Sequence, residues 1–94
     1  MYAVIRRYKN PKLIGALEQR RAEVEAVIRP VPGFVAYYLI KSGDGGTSVT
    51  VCDDKAGTDA SIQRAAEWIR SNLPDAAGAP PEVTEGNVIQ EFTR

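Results

Sequence analysis

The stretch from Pro32 to Asp53, PGFVAYYLIKSGDGGTSVTVCD, decides the fold. It holds two runs rich in β-branched and aromatic residues, Phe34 to Lys41 and Thr47 to Cys52, separated by Ser-Gly-Asp-Gly-Gly. Asp-Gly between such runs predicts a hairpin, because a two-residue type I′ turn needs positive φ at both central positions. With Asp44 and Gly45 at its centre, Lys41 faces Ser48, Leu39 faces Thr50 and Tyr37 faces Cys52. Val35, Tyr37, Leu39, Ser48, Thr50 and Cys52 then share one face, and Phe34, Ala36, Tyr38, Ile40, Val49 and Val51 share the other. An antiparallel sheet with one wet side alternates apolar with polar residues, yet neither face here carries charge before Lys41 and Asp53. Both faces need cover. A chain of 94 residues has helices enough for one, so a second copy is the simplest cover for the other.

Outward from the hairpin, YAVIRRY (Tyr2 to Tyr8) reads as a strand, with Arg6 and Arg7 pointing to opposite faces. One of these arginines must look toward the helices, either snorkelling at the strand end or meeting an anion or carbonyl in a pocket. Asn10-Pro11 is an N-cap followed by a first-turn proline, and the helix it starts should run to Ile28 or Arg29, just before Pro30. Leu13, Ile14, Leu17, Val24, Val27 and Ile28 form its apolar stripe. Arg20 and Arg21 fall inside that arc, where apolar residues belong. Either their stems lie along the stripe's edges, or the helix overhangs a polar cavity and one guanidinium faces a ligand.

A second helix is expected from Thr58 or Asp59 to Leu73, with Ile62, Ala65, Ala66, Ile69 and Leu73 as its core stripe. Trp68 lies off the centre of that stripe, in a line with Ser61, Ala65 and Asn72. It is either a packing peg or a pocket wall with Asn72 as a polar handle. After the loose DAAGAPP segment (Asp75 to Pro81), a last strand is read from Val83 to Phe92, clearest from Asn87 onward, with a bend at Gly86.

Composition narrows the chemistry. Twelve basic and twelve acidic residues cancel, which gives no electrostatic case for nucleic acid or an anionic membrane. The chain has no histidine and one cysteine, so Ser-His-Asp and Cys-His catalysis, His-ligated haem and a structural zinc site all lack their residues, and no metal site is expected. No apolar run is long enough to span a bilayer and MYAVIRRYKN carries no signal-peptide pattern, so a cytoplasmic location is the expectation. The lone Cys52 fits that reducing compartment as a small buried hydrophobe.

Strand, helix, strand, strand, helix, strand is the α+β, ferredoxin-like βαββαβ order, expected as one domain over residues 1–94 with two helices on one face of a four-stranded antiparallel sheet. The third strand lacks the basic and aromatic pattern of an RNA-recognition motif, and there is no C-x-x-C for metal transfer. The layout is similar to that of the dimeric α+β-barrel superfamily, the antibiotic-biosynthesis-monooxygenase-like proteins. AVIRRY, Pro32-Gly33-Phe34, the hairpin, the Trp-bearing second helix and the closing strand carry the resemblance. It implies two sheets packed face to face as a homodimer, with a ligand cavity between sheet and helices. It also implies either cofactor-independent oxygenation of an aromatic substrate or haem degradation, and the missing histidine speaks against the latter. On this reading Phe34, Ala36, Tyr38, Val49 and Val51 line the cavity with Trp68 and Asn72, Arg20 or Arg21 stabilises an oxyanion, and Val35, Tyr37, Leu39, Thr50 and Cys52 face the partner copy. No cofactor is expected. The competing reading is a non-catalytic dimeric regulatory or assembly module with a filled core.

Overall fold

In the computed structural model, which describes residues 1–94, the first strand, β1 (Tyr2–Tyr8), buries Val4, Arg6 and Tyr8 and leaves Ile5 and Arg7 exposed. A helical segment follows in two pieces, α1 (Pro11–Gln19) and α2 (Arg21–Ile28), where the sequence reading has one helix. Asn10 caps α1, its Oδ1 accepting from Leu13 N at 3.2 Å. Arg20 leaves the helical region (φ −107°, ψ 40°), and its N–H is shared between the carbonyls of Ala16 and Leu17. The apolar stripe keeps its phase across the break. Leu13, Ile14 and Leu17 face inward before it and Val24 and Ile28 after it, while Arg21 is exposed. Two arginines inside the arc of one continuous helix become a joint between two short ones.

The hairpin joins β2 (Phe34–Ser42) to β3 (Gly45–Cys52), with a register two residues away from that expected. Ser42 pairs with Gly45, Leu39 with Ser48 and Tyr37 with Thr50, so Gly43 and Asp44 are the central residues. Only Gly43 has positive φ (51°), which a type II′ turn requires and a type I′ turn does not allow. Gly45 serves a different purpose, since a Cβ there would collide with the carbonyl oxygen of Tyr8 on the neighbouring strand.

Asp54 caps α3 (Lys55–Asn72), accepting from Gly57 N at 3.3 Å, so this helix starts three residues earlier than Thr58. Its buried line is Thr58, Ser61, Ala65 and Ile69, while Ala66 is exposed. A Cβ at Gly57 would strike the Pro32 carbonyl, so small residues let the helix close down onto the sheet. Thr58 and Ser61 are buried without loss because their hydroxyls donate to the carbonyls of Lys55 (3.0 Å) and Thr58 (2.7 Å). After a short 3₁₀ turn (Pro74–Ala76), β4 (Glu82–Asn87) pairs with β1. The last strand therefore lies before residue 88. Its ladder with β1 ends at Asn87 opposite Tyr2, closed by Val88 N donating to Met1 O at 2.9 Å, and Ile89 and Phe92 beyond it are exposed.

The sheet order is β2-β3-β1-β4, all antiparallel, with all three helices on one face. That face is the opposite of the one expected. Tyr37, Leu39, Thr50 and Cys52 point toward the helices, and Tyr38, Ile40, Val49 and Val51 lie on the open side. A β-bulge at Val35 puts Phe34 opposite Cys52, so Phe34 turns inward with Tyr37 while Val35 is exposed. Neither face is polar, so alternation alone had no means of telling them apart. Thr50 carries the consequence: it is fully buried and its hydroxyl has no hydrogen-bond partner. Thr50→Val keeps the shape and removes that unmatched group, and should raise stability in urea unfolding by about 1 kcal/mol. A loss would show that the hydroxyl is bonded after all.

Candidate functional site

Residues of β1, β2, β3 and all three helices line a small, partly open cavity of about 20 Å³ between sheet and helices. Arg6 is its one charged residue, among Tyr8, Val27, Tyr37, Ser48 and Trp68. The strand parity that buries Val4 and Tyr8 also places Arg6 inward at 3% exposure, and sends Arg7 to the open face. The Arg6 side chain makes one hydrogen bond, Nε donating to Ser48 Oγ at 3.3 Å. No carboxylate pairs with it. Both terminal nitrogens are thus left without a protein acceptor and face the open space of a mostly apolar cavity, where water or a ligand must supply the acceptor. Burial holds the phenols of Tyr8 and Tyr37 above the ordinary phenol range, with the Arg6 charge pulling the other way, so both remain neutral neighbours.

Trp68 is a wall of this cavity because the buried line of α3 runs through Ser61 and Ala65. The guanidinium of Arg20 sits 5.9 Å from the indole centroid and also pairs with Glu23, so Arg20 braces the wall from outside. Asn72 is exposed, its amide donating to the Trp68 carbonyl at 3.0 Å, and it lines the outer cleft between α2 and α3. It is not a handle inside the cavity.

A second space of about 530 Å³ runs along the free edge of β2, beneath α1 and α2. Phe34, Tyr37 and Leu39 form its sheet side and Leu17, Val24 and Ile28 its helix side. Arg21 lines its mouth, together with the Glu18–Lys41 pair (3.0 Å) and the Glu25–Arg29 pair (2.7 Å). Tyr38 is 61% exposed and reaches only the rim. Val49 and Val51 border neither space, being on the open face. Of the expected pocket residues, the structure brings Phe34, Ala36, Arg21 and the rim of Tyr38 to the groove and Trp68 to the cavity at Arg6. Cys52 is fully buried against α3, and burial, with Asp53 and Asp54 nearby, pushes its thiol up and away from reactivity.

The residue that defines the site, Arg6, was legible only as one of two adjacent arginines on a strand. The parity of the buried face selects it.

No protein-family model matches the chain, and no curated protein matches it significantly. Solved structures do match, among them putative antibiotic biosynthesis monooxygenases from Bordetella bronchiseptica and Chloroflexus aurantiacus. NE2512 from Nitrosomonas europaea, a protein of unknown function, aligns with a TM-score of 0.75 at 20% identity, over 99% of this chain and 93% of its own. MhuD, the haem degrader of Mycobacterium tuberculosis, with two haems bound in its active site, aligns at 0.71 and 18%, over 99% and 100%. SnoaB, a cofactor-independent oxygenase from Streptomyces nogalater, aligns at 0.60 and 18%, over 99% and 97%. The chain has their ferredoxin-like α+β fold.

Proposed function

We propose that this protein binds a small aromatic molecule between sheet and helices, its ring in the groove beneath β2 and its oxyanion directed to Arg6, and acts as a cofactor-independent oxygenase. The observation that carries the reading is Arg6, buried as a residue, whose terminal nitrogens face the cavity beside Trp68 with no protein acceptor. An oxygenase of this sort needs no nucleophile, because the substrate's own anion supplies the electrons that oxygen accepts. The protein's share is to hold the ring, exclude water and stabilise the anion with a fixed positive charge. The likeness in fold to both an oxygenase and a haem degrader does not choose between those chemistries, and the chain has no histidine with which to ligate haem iron. The oxyanion role proposed for Arg20 or Arg21 passes to Arg6, since Arg20 braces Trp68 and Arg21 lies at the groove mouth.

A homodimer closed through the open sheet face completes the reading. Its support is the apolar row Tyr38, Val49 and Ile5, which crosses three strands in register and has no cover in a single chain. No helix is long and apolar enough to cross a membrane, and a buried free thiol suits the cytoplasm. The test is oxygen uptake with electron-rich phenols and hydroxynaphthalenes, without flavin or metal and with EDTA present. Uptake well above autoxidation that disappears in Arg6→Met is the expected result, and uptake no faster than autoxidation across the panel overturns the oxygenase reading.

A further inference from the structure

We propose that the ligand is an amphipathic organic monocarboxylate, its carboxylate on the terminal nitrogens of Arg6 and its elongated apolar body in the groove beneath β2. The inference rests on reading this space as a ligand pocket, and not on the oxygenase chemistry. Charge sets the head group: a single unpaired guanidinium is neutralised by a monoanion, and the two oxygens of a carboxylate match the two terminal nitrogens that remain once Nε is taken by Ser48. Size separates head from body, because about 20 Å³ at Arg6 has room for a group little larger than a water and none for a ring.

The body's place follows from which walls are shared. Leu17, Val24, Ile28 and Tyr37 line both the cavity and the β2 groove, so the two spaces adjoin across them. The outer cleft on the far side of Trp68 and Val27 also adjoins the cavity, but only three of its eight lining residues are hydrophobic, against ten of fifteen in the groove. An apolar body belongs in the groove. Of the four shared residues, Tyr37 alone is half-buried rather than buried, so in this proposal it is the side chain with room to turn as the head reaches Arg6. At the mouth, Arg21, Arg29 and Lys41 outnumber Glu18 and Glu25, and Arg21 has no ion-pair partner, which favours the approach of an anion.

The test is calorimetric titration with 4-phenylbutanoate, 6-phenylhexanoate and 8-phenyloctanoate, and with the three alcohols of the same carbon skeletons. Trp68 is the chain's one tryptophan, so its fluorescence reports binding at the cavity wall. Each acid is expected to bind at least tenfold more tightly than its alcohol. Affinity should rise by about fourfold per added methylene until the groove is filled. Arg6→Met should remove the preference for acid over alcohol, and Leu39→Asp should remove the dependence on chain length while the shortest acid still binds. Alcohols, or the neutral 2-naphthol, binding as tightly as the acids would overturn the carboxylate assignment and leave the pocket reading standing. Saturable acid binding, together with oxygen uptake no faster than autoxidation across the panel of phenols and hydroxynaphthalenes, would sink the oxygenase and support this inference. The absence of any saturable binding would overturn it.

Discussion

Arg6→Met should make the ligand-free protein more stable and unable to bind its ligand. Most substitutions of a residue 3% exposed on a central strand destabilise, so the expected sign is itself the test. A guanidinium cannot shed its proton to escape burial, and this one has a single hydrogen bond to a serine and no carboxylate. Methionine fills much the same volume as the arginine stem and is flexible enough to settle against Tyr8, Tyr37 and Trp68. Removing the uncompensated charge should therefore gain about 2 kcal/mol, since even buried charges that are paired are often improved upon by apolar replacements. For a domain of this size that is a rise in Tm of about 10 °C in differential scanning calorimetry. Stability gained as function is lost marks a residue kept for what it does rather than for what it holds together. If Arg6→Met lowers Tm instead, the charge is compensated within the fold and the case for an anion site at this position fails.

That sign could not have been forecast from the sequence. The hairpin, the strand order and the presence of a helix on either side of it are legible because each rests on local chemistry: Asn10-Pro11 starts a helix, Leu73-Pro74 ends one, and the glycine cluster after Lys41 turns the chain. What needs a choice between equals was not legible. With both faces of the hairpin apolar, parity gave two answers of equal merit, and the structure takes the one that puts Ser48, Thr50 and Cys52 under the helices. The small Ser48 and Cys52 there, with Gly57, Ser61 and Ala65 on α3, allow the helix to come close to the sheet. The candidate site moved with that choice, from Tyr38 and Val49 to Tyr37 and Arg6. One signal did exist: two arginines inside a helical stripe conflict with burial, and the conflict marks the break at Arg20 rather than a ligand.

The side left uncovered supports the second large effect: Val49→Lys should convert the proposed dimer into a monomer that remains folded. Val49 lies on the central strand β3, between Tyr38 of β2 and Ile5 of β1 in register, so it sits in the middle of the apolar row and not at its rim. Tyr38 is 61% exposed in the single chain, Ile40 50% and Ile5 39%, which is a concentration of bare apolar area that water does not tolerate well at working concentrations. A two-fold dimer places each copy's row against its partner's, so one substitution enters the interface twice. Two lysines facing a desolvated apolar contact, with no acid between them, would cost several kcal/mol, enough to weaken association by at least a hundredfold. The fold of each chain should survive, because Val49 points away from α3 and touches none of the helix-facing core. Sedimentation equilibrium at micromolar concentration should give twice the chain mass for the natural protein and the chain mass for the variant, with unchanged far-ultraviolet circular dichroism. A natural protein sedimenting as a monomer would mean that this face tolerates water, and a variant that stays dimeric would move the contact to the β2 edge or to the exposed Ile89 and Phe92 of residues 88–94.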